Sequence, residues 1–187
     1  MIPKVLTQLN WVDVIFIVLF LKVCYTAAKS GLIAEFFKFL GTVAAVYFAL
    51  HYYVSLGDWA IRLLAIEKER IPVDFVAFLC FLVLAIASYV VIAIVRNMFT
   101  RAVKMEAVVT LERWGGLLLG VVRGVLLCSL LAFALSIATI QYFKKSVDAS
   151  YFGSRSVGIA PQAYACMWDS LASKFMLNEK FNDSVKK

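Results

Sequence analysis

The residues best placed to do chemistry lie along Glu112-Arg113-Trp114-Gly115-Gly116-Leu117-Leu118-Leu119-Gly120-Val121-Val122-Arg123-Gly124. An acid–arginine pair opens the stretch. Glycines recur at 116, 120 and 124, and a second arginine sits among them. Residues four apart share one face of a helix, and a row of absent side chains there admits another helix at close range. An unpaired charge in hydrocarbon is costly, so charges inside a membrane span mark functional sites by default. This is the chemistry of helix contact and charge management. No reaction follows from it.

A second set of charges precedes it. Lys22, Thr26 and Lys29 follow i, i+4, i+7 on one helix face, and Glu35, Lys38 and Thr42 follow i, i+3, i+7 on another. If the two faces meet, they form a polar groove at one membrane surface. The plainer reading is snorkelling, with each lysine stem in lipid and its ammonium among the headgroups. Arg123 also has two readings. It is buried and paired with Glu35 or Glu112, or it lies at the interface beneath a charge-free span over Gly124–Phe143. The second reading needs no buried charge. Asp13, beside Trp11, is expected at the opposite interface.

Catalytic groups are scarce. His51 sits among Tyr47, Tyr52 and Tyr53 and reads as an aromatic-belt residue; with no second histidine, a histidine-based metal site is not expected. Ser88, Ser129 and Ser136 lie in apolar runs, where a hydroxyl usually bonds its own helix's carbonyl. Ser129 with His51 is a nucleophile–base pair on paper only. Cys24, Cys80, Cys128 and Cys166 form no C-x-x-C pair and no disulfide framework. No phosphate-binding loop or nucleophile elbow is present. No catalytic residue, cofactor or metal is expected.

The elements that must position these groups follow from composition. The 187 residues are 63% hydrophobic and 17% charged, with a mean hydropathy of +0.87. A soluble domain has ~45–50% apolar and ~25% charged residues. Phe39–Gly57, Phe75–Val95 and Gly124–Phe143 are free of charge, and Trp11–Ala28 is interrupted only by Asp13 and Lys22. Each run approaches the ~20 residues that cross a hydrocarbon core. The fold class is therefore all-α: a polytopic membrane protein with four transmembrane helices plus short interfacial helices. Residues 1–145 form the four-span domain. Residues 146–187 form a polar tail that is not an independent domain.

Between the spans, Lys29-Ser30-Gly31 reads as a tight joint. Asp58–Ile71 reads as a connector in which Trp59, Leu63 and Ile66 suit a short interfacial helix. Pro72 suits the first turn of the third helix, the most uniformly apolar one. Arg96–Arg113 reads as its extension or as a surface helix. Ser146–Pro161 reads as a loop, Ala163–Phe175 as an amphipathic helix, and Asn178–Lys187 as a frayed end. The net charge of +7 comes without an aromatic-interleaved basic patch. It fits anionic headgroups and not nucleic acid.

Glu112-Arg113-x-x-Gly116-x-x-x-Gly120-x-x-Arg123-Gly124 resembles the acid-Arg-x-x-Gly-x-x-x-Gly-x-x-Arg-Gly pattern of the colicin V production protein family. Gly31-x-x-x-Glu35 resembles that family's Arg-Gly-x-x-x-Glu at the start of its second span. The order of four spans and a tail with Ser154, Ser156, Pro161 and Trp168 also agree. Here the usual Asp is Glu112, and Ser30 replaces the arginine before Gly31.

The resemblance implies a bacterial inner-membrane protein, multi-pass and without a known catalytic site. It implies association with production or export of a peptide toxin and with envelope homeostasis. Some relatives carry a serine-protease domain outside the cytoplasm after the same spans, which implies that both termini here are extracytoplasmic. Charge does not decide the matter. Lys22, Lys29, Lys38, Arg96, Arg101, Lys104 and Arg113 on one side are matched in number by Lys4, Arg62, Lys68, Arg70, Lys144, Lys145 and Arg155 on the other.

The leading expectation is a non-enzymatic accessory protein whose partners are the bilayer and a second copy or other envelope membrane proteins, with Gly116, Gly120 and Gly124 as the docking face. The alternative is an oligomeric small-solute or ion pathway lined by Lys22, Glu35, Lys38 and Arg123.

Overall fold

The structure, a computed structural model, describes residues 10–63, 72–102, 109–138, 140–175 and 179–186. Four long helices carry the fold: α1 (Trp11–Ser30), α2 (Leu32–Leu63), α3 (Val73–Ala102) and α4 (Val109–Ile137). All four are long and apolar enough to cross a membrane. The chain is a multi-pass membrane protein.

α1 begins with a capping box. The Asn10 side chain accepts the Trp11 N–H at 2.7 Å, and the Asp13 carboxylate accepts the Asn10 N–H at 2.9 Å. The helix stops at Gly31, whose φ of 77° is open to glycine and strained for other residues. α2 starts at the next residue, so the joint is a single-residue elbow.

The elbow does not close α1 onto α2. α4 lies between them, packing on α1 along one side and α2 along the other, while α3 packs chiefly on α2. The glycines of α4 explain the close α1–α4 contact. A Cβ on Gly116 would lie 3.0 Å from the Ala27 carbonyl oxygen, one on Gly120 would overlap the Ala27 methyl, and one on Gly124 would lie 2.9 Å from the Phe20 ring. Descending the glycine row on α4 climbs α1 from Phe20 to the elbow, as two antiparallel helices in van der Waals contact require.

α2 has 32 residues, or ~48 Å, against ~30 Å of hydrocarbon. It is ~18 Å longer than a straight crossing needs. The stretch read as a connector from Asp58 therefore continues α2 as far as Leu63, and Trp59 and Leu63 are exposed on that helix. Ile66 lies outside the described residues. Pro72 precedes α3 and its carbonyl accepts the Phe75 N–H at 3.0 Å. α3 has the highest mean hydropathy of the four, 3.0, and extends to Ala102.

The tail departs furthest from the sequence reading. The stretch taken as a Ser/Gly loop folds as α5 (Gln141–Ala149), α6 (Tyr151–Ser156) and the start of α7 (Ile159–Met167), followed by a π-turn (Trp168–Ala172) and α8 (Ser173–Phe175). Serine and glycine serve here as caps and close contacts. Ser150 Oγ accepts the Gly153 N–H at 2.8 Å, and a Cβ on Gly153 would meet Ser150 Oγ at 2.8 Å. The end is also packed. Asn182 donates from its side chain to the Leu50 carbonyl at 2.7 Å, Val185 is buried, and Asp183–Lys186 forms a 3-10 turn.

One core joins Val46, Leu50 and Tyr53 of α2 to Phe81, Phe133 and Tyr164. A smaller one joins Val12 and Phe16 to Cys128, Ala132 and Val147. The tail thus packs on the start of α1, on α2 around Leu50–Tyr52 and on the second half of α4.

Candidate functional site

The elbow, the glycine row and the first turn of α2 converge on one buried carboxylate. Glu35 is fully buried, and its backbone N–H donates to the Gly31 carbonyl at 3.1 Å. A helix N-terminus favours an acid in that turn. Arg123 of α4 reaches it from the far side, with Nη1 2.6 Å from Glu35 Oε1. Lys38 approaches from the next turn of α2, with Nζ 3.0 Å from Oε2, and also donates to Ser30 Oγ at 2.6 Å.

Arg123 is 5% exposed, which corrects the interfacial reading. α4 ends at Ile137, so Gly124–Phe143 is not one span, and Trp114–Ile137 crosses in its place. The physical reason lies in the glycines. They let α4 settle into the elbow, and this settling carries Arg123 to its counter-ion. The contact is ionic more than directional: Arg123 Nη1 and Nε and Glu35 Oε1 make no aligned hydrogen bond within the described residues. Two cations share one carboxylate in a water-poor site, where charge interactions are strong and desolvation is costly.

The remaining candidates fall outside this cluster. Lys22 and Lys29 are exposed on α1, and Lys29 Nζ donates to Tyr25 Oη at 2.5 Å. Thr26 bonds its own helix's carbonyls. Among the described residues the two polar faces therefore do not meet, and Ser30 is the α1 residue that bridges to Lys38. The side chains of Glu112 and Arg113 lie outside the described residues. Gly116, Gly120 and Gly124 face α1 of the same chain, so their close-approach surface is occupied internally.

His51 also corrects its reading. It is 5% exposed and lies between the Tyr47 and Trp168 rings, stacked on each. Nδ1 lies 2.8 Å from Tyr164 Oη and Nε2 3.1 Å from Glu179 Oε2. In the tautomer that carries its proton on Nε2, the ring donates to the Glu179 carboxylate and accepts the Tyr164 O–H at Nδ1. The same Tyr164 oxygen accepts the Asn182 N–H at 3.2 Å. Burial pushes the Tyr164 phenol above its ordinary value. Ser129 serves elsewhere: its Oγ accepts the Ala160 N–H at 2.6 Å. Among the described residues no group of histidines, cysteines and carboxylates could hold a metal.

Sequence reasoning placed Asp13 at an interface and missed its burial and its partners. It is fully buried and accepts from Ser150 Oγ at 2.6 Å, the Phe152 N–H at 2.8 Å and the Tyr151 N–H at 3.2 Å. It thereby ties α6 to the start of α1. The Asn10-x-x-Asp13 spacing is a visible capping signal, but its partners lie more than a hundred residues away. Tyr164 and Glu179 carried no local signal.

The colicin V production protein family model matches residues 12–160, a stretch that includes the elbow, the glycine row and all three ions of the cluster. No curated protein and no solved structure matches the chain. With its four spans and the Gly31-x-x-x-Glu35 and Gly116-x-x-x-Gly120-x-x-Arg123-Gly124 motifs in contact, the chain belongs to the colicin V production protein family.

Proposed function

We propose that this protein is a non-enzymatic accessory component of the bacterial inner membrane. It serves production or export of a peptide toxin and, more broadly, envelope homeostasis, with both termini outside the cytoplasm. The observation that supports this reading best is the self-contained state of the charge cluster within the family's matched region. Arg123 and Lys38 spend their charge on Glu35 inside the chain and build an elbow. The motif then acts as an architectural lock. Docking to a second copy or to other envelope proteins uses lipid-facing surface outside the glycine row.

The oligomeric pathway for ions or small solutes is served less well. Of its four lining residues, Lys22 stands apart and exposed on α1, and Lys38 and Arg123 are both paired with the fourth, Glu35.

The test is genetic. A toxin-producing strain lacking this chain should release less active peptide and become more sensitive to detergents, and the restored gene should reverse both. Unchanged toxin yield together with an unchanged envelope would overturn the reading. A reporter active only in the periplasm, fused after Lys187, should be active; an inactive fusion reverses the orientation.

A further inference from the structure

A cavity of about 360 Å³ opens between α1 and α4 beneath α6. Phe20 and Leu21 form one wall, Val125 and Cys128 the other, and Phe152 and Ser156 the roof. We propose that this groove holds one acyl chain of an anionic phospholipid whose phosphate rests on Arg155.

The walls belong to helices that cross the bilayer, so hydrocarbon is the solvent that meets them. An empty groove of this size would forfeit the dispersion contacts of its lining. Its origin is local. Gly124 leaves room for the Phe20 ring to turn against α4, and the small side chains of Val125 and Cys128 do not refill the space beside it.

The depth suits a lipid chain. Asp13 fixes α6 at the start of α1, and from Asp13 to Leu21 the helix descends ~12 Å. One leaflet's hydrocarbon is ~15 Å deep, half of the full core. The roof therefore stands at headgroup level and the groove runs down toward the midplane, which is how a phospholipid is oriented.

The head end supplies the charge. Arg155 is exposed, and its guanidinium lies over the Tyr151 ring at 3.9 Å. Among the described residues no carboxylate pairs with it. A stacked, planar guanidinium presents paired donors suited to a phosphate.

The full chain in phosphatidylcholine nanodiscs, doped with phosphatidylglycerol bearing a diazirine on its acyl chain, tests the proposal. After photolysis, adducts on Leu21, Val125 and Cys128 should exceed several-fold those on Val83 and Ile86, which face lipid on α3. Excess unlabelled phosphatidylglycerol should compete, and excess phosphatidylcholine should not. Arg155→Ala should lower groove labelling to the α3 level. Ile17→Trp, which fills the groove from its lipid edge, should do so with Arg155 intact. Unchanged α3 labelling reports that each variant is folded. Wild-type labelling equal in the groove and on α3, or groove labelling that survives Arg155→Ala undiminished, overturns the assignment.

Discussion

Arg123 Nη1 lies 2.6 Å from Glu35 Oε1, joining α4 to the first turn of α2 inside the membrane-spanning bundle. Both residues are buried, and the elbow at Gly31 and the glycine face of α4 are arranged around their contact. Removing the acid leaves a buried arginine and a half-buried lysine without a counter-ion. Breaking one partner of such a pair costs about 3–5 kcal/mol. Glu35→Gln should therefore lower stability in lipid by that order, measured by reversible unfolding in mixed micelles. Arg123→Met in the Glu35→Gln background should cost less than the sum of the single changes, because contacting sites couple. Additive losses would mean that the two side chains do not interact.

The Gly120 contact predicts a compensating pair. Gly120→Ala places a methyl on the Ala27 methyl and should cost about 1–3 kcal/mol, as overpacking does. Ala27→Gly in the same chain should recover most of the loss. If instead Gly120→Ala leaves the unfolding midpoint in place, the α1–α4 contact is looser than described.

Asp13 holds the tail. Asp13→Asn keeps the size but turns an NH₂ group toward donors that need an acceptor, the Tyr151 and Phe152 amides and the Ser150 hydroxyl. An unsatisfied buried donor costs about 1–3 kcal/mol. Hydrogen exchange should accelerate at Tyr151 and Phe152 while amides in the middle of α3 keep their protection. Uniform acceleration across the bundle would show that Asp13 acts globally.

Tyr164 gives the tail a dependence on alkali. Its phenol is raised above the ordinary 10.0, chiefly by burial, with the Asn182 N–H pulling the other way. The native state keeps the proton longer than the unfolded chain does. The stabilisation is thus complete below a pH of about 10 and drains away as pH climbs through the higher folded value. Residues 179–186 should become sensitive to protease in that window, with Trp168 fluorescence changing in step. Tyr164→Phe should abolish the alkaline step; a step that persists belongs to another group.

The span count and the elbow at Gly31 were legible in the amino-acid order, because hydrophobic length and glycine placement are local properties that act wherever the segment goes. The single helix read over Ala163–Phe175 is divided in the structure: α7 ends at Met167, a π-turn covers Trp168–Ala172 and α8 is Ser173–Phe175. The loop read over 146–161 failed because Ser150 and Gly153 signal a turn by composition but cap and pack a helix in context. Whether Arg123 lay at the interface or against Glu35 could not be read at all. That choice depends on how far α4 slides along α1, which the Ala27 and Phe20 contacts set across nearly a hundred residues of chain. His51, Tyr164 and Glu179 show the same limit, being brought together only when the tail folds back onto α2 at His51. Sequence alone determined which segments seek lipid and where the backbone can bend. The tertiary structure decided which charges find each other, because pairing in a low-dielectric interior depends on distances that no local pattern encodes.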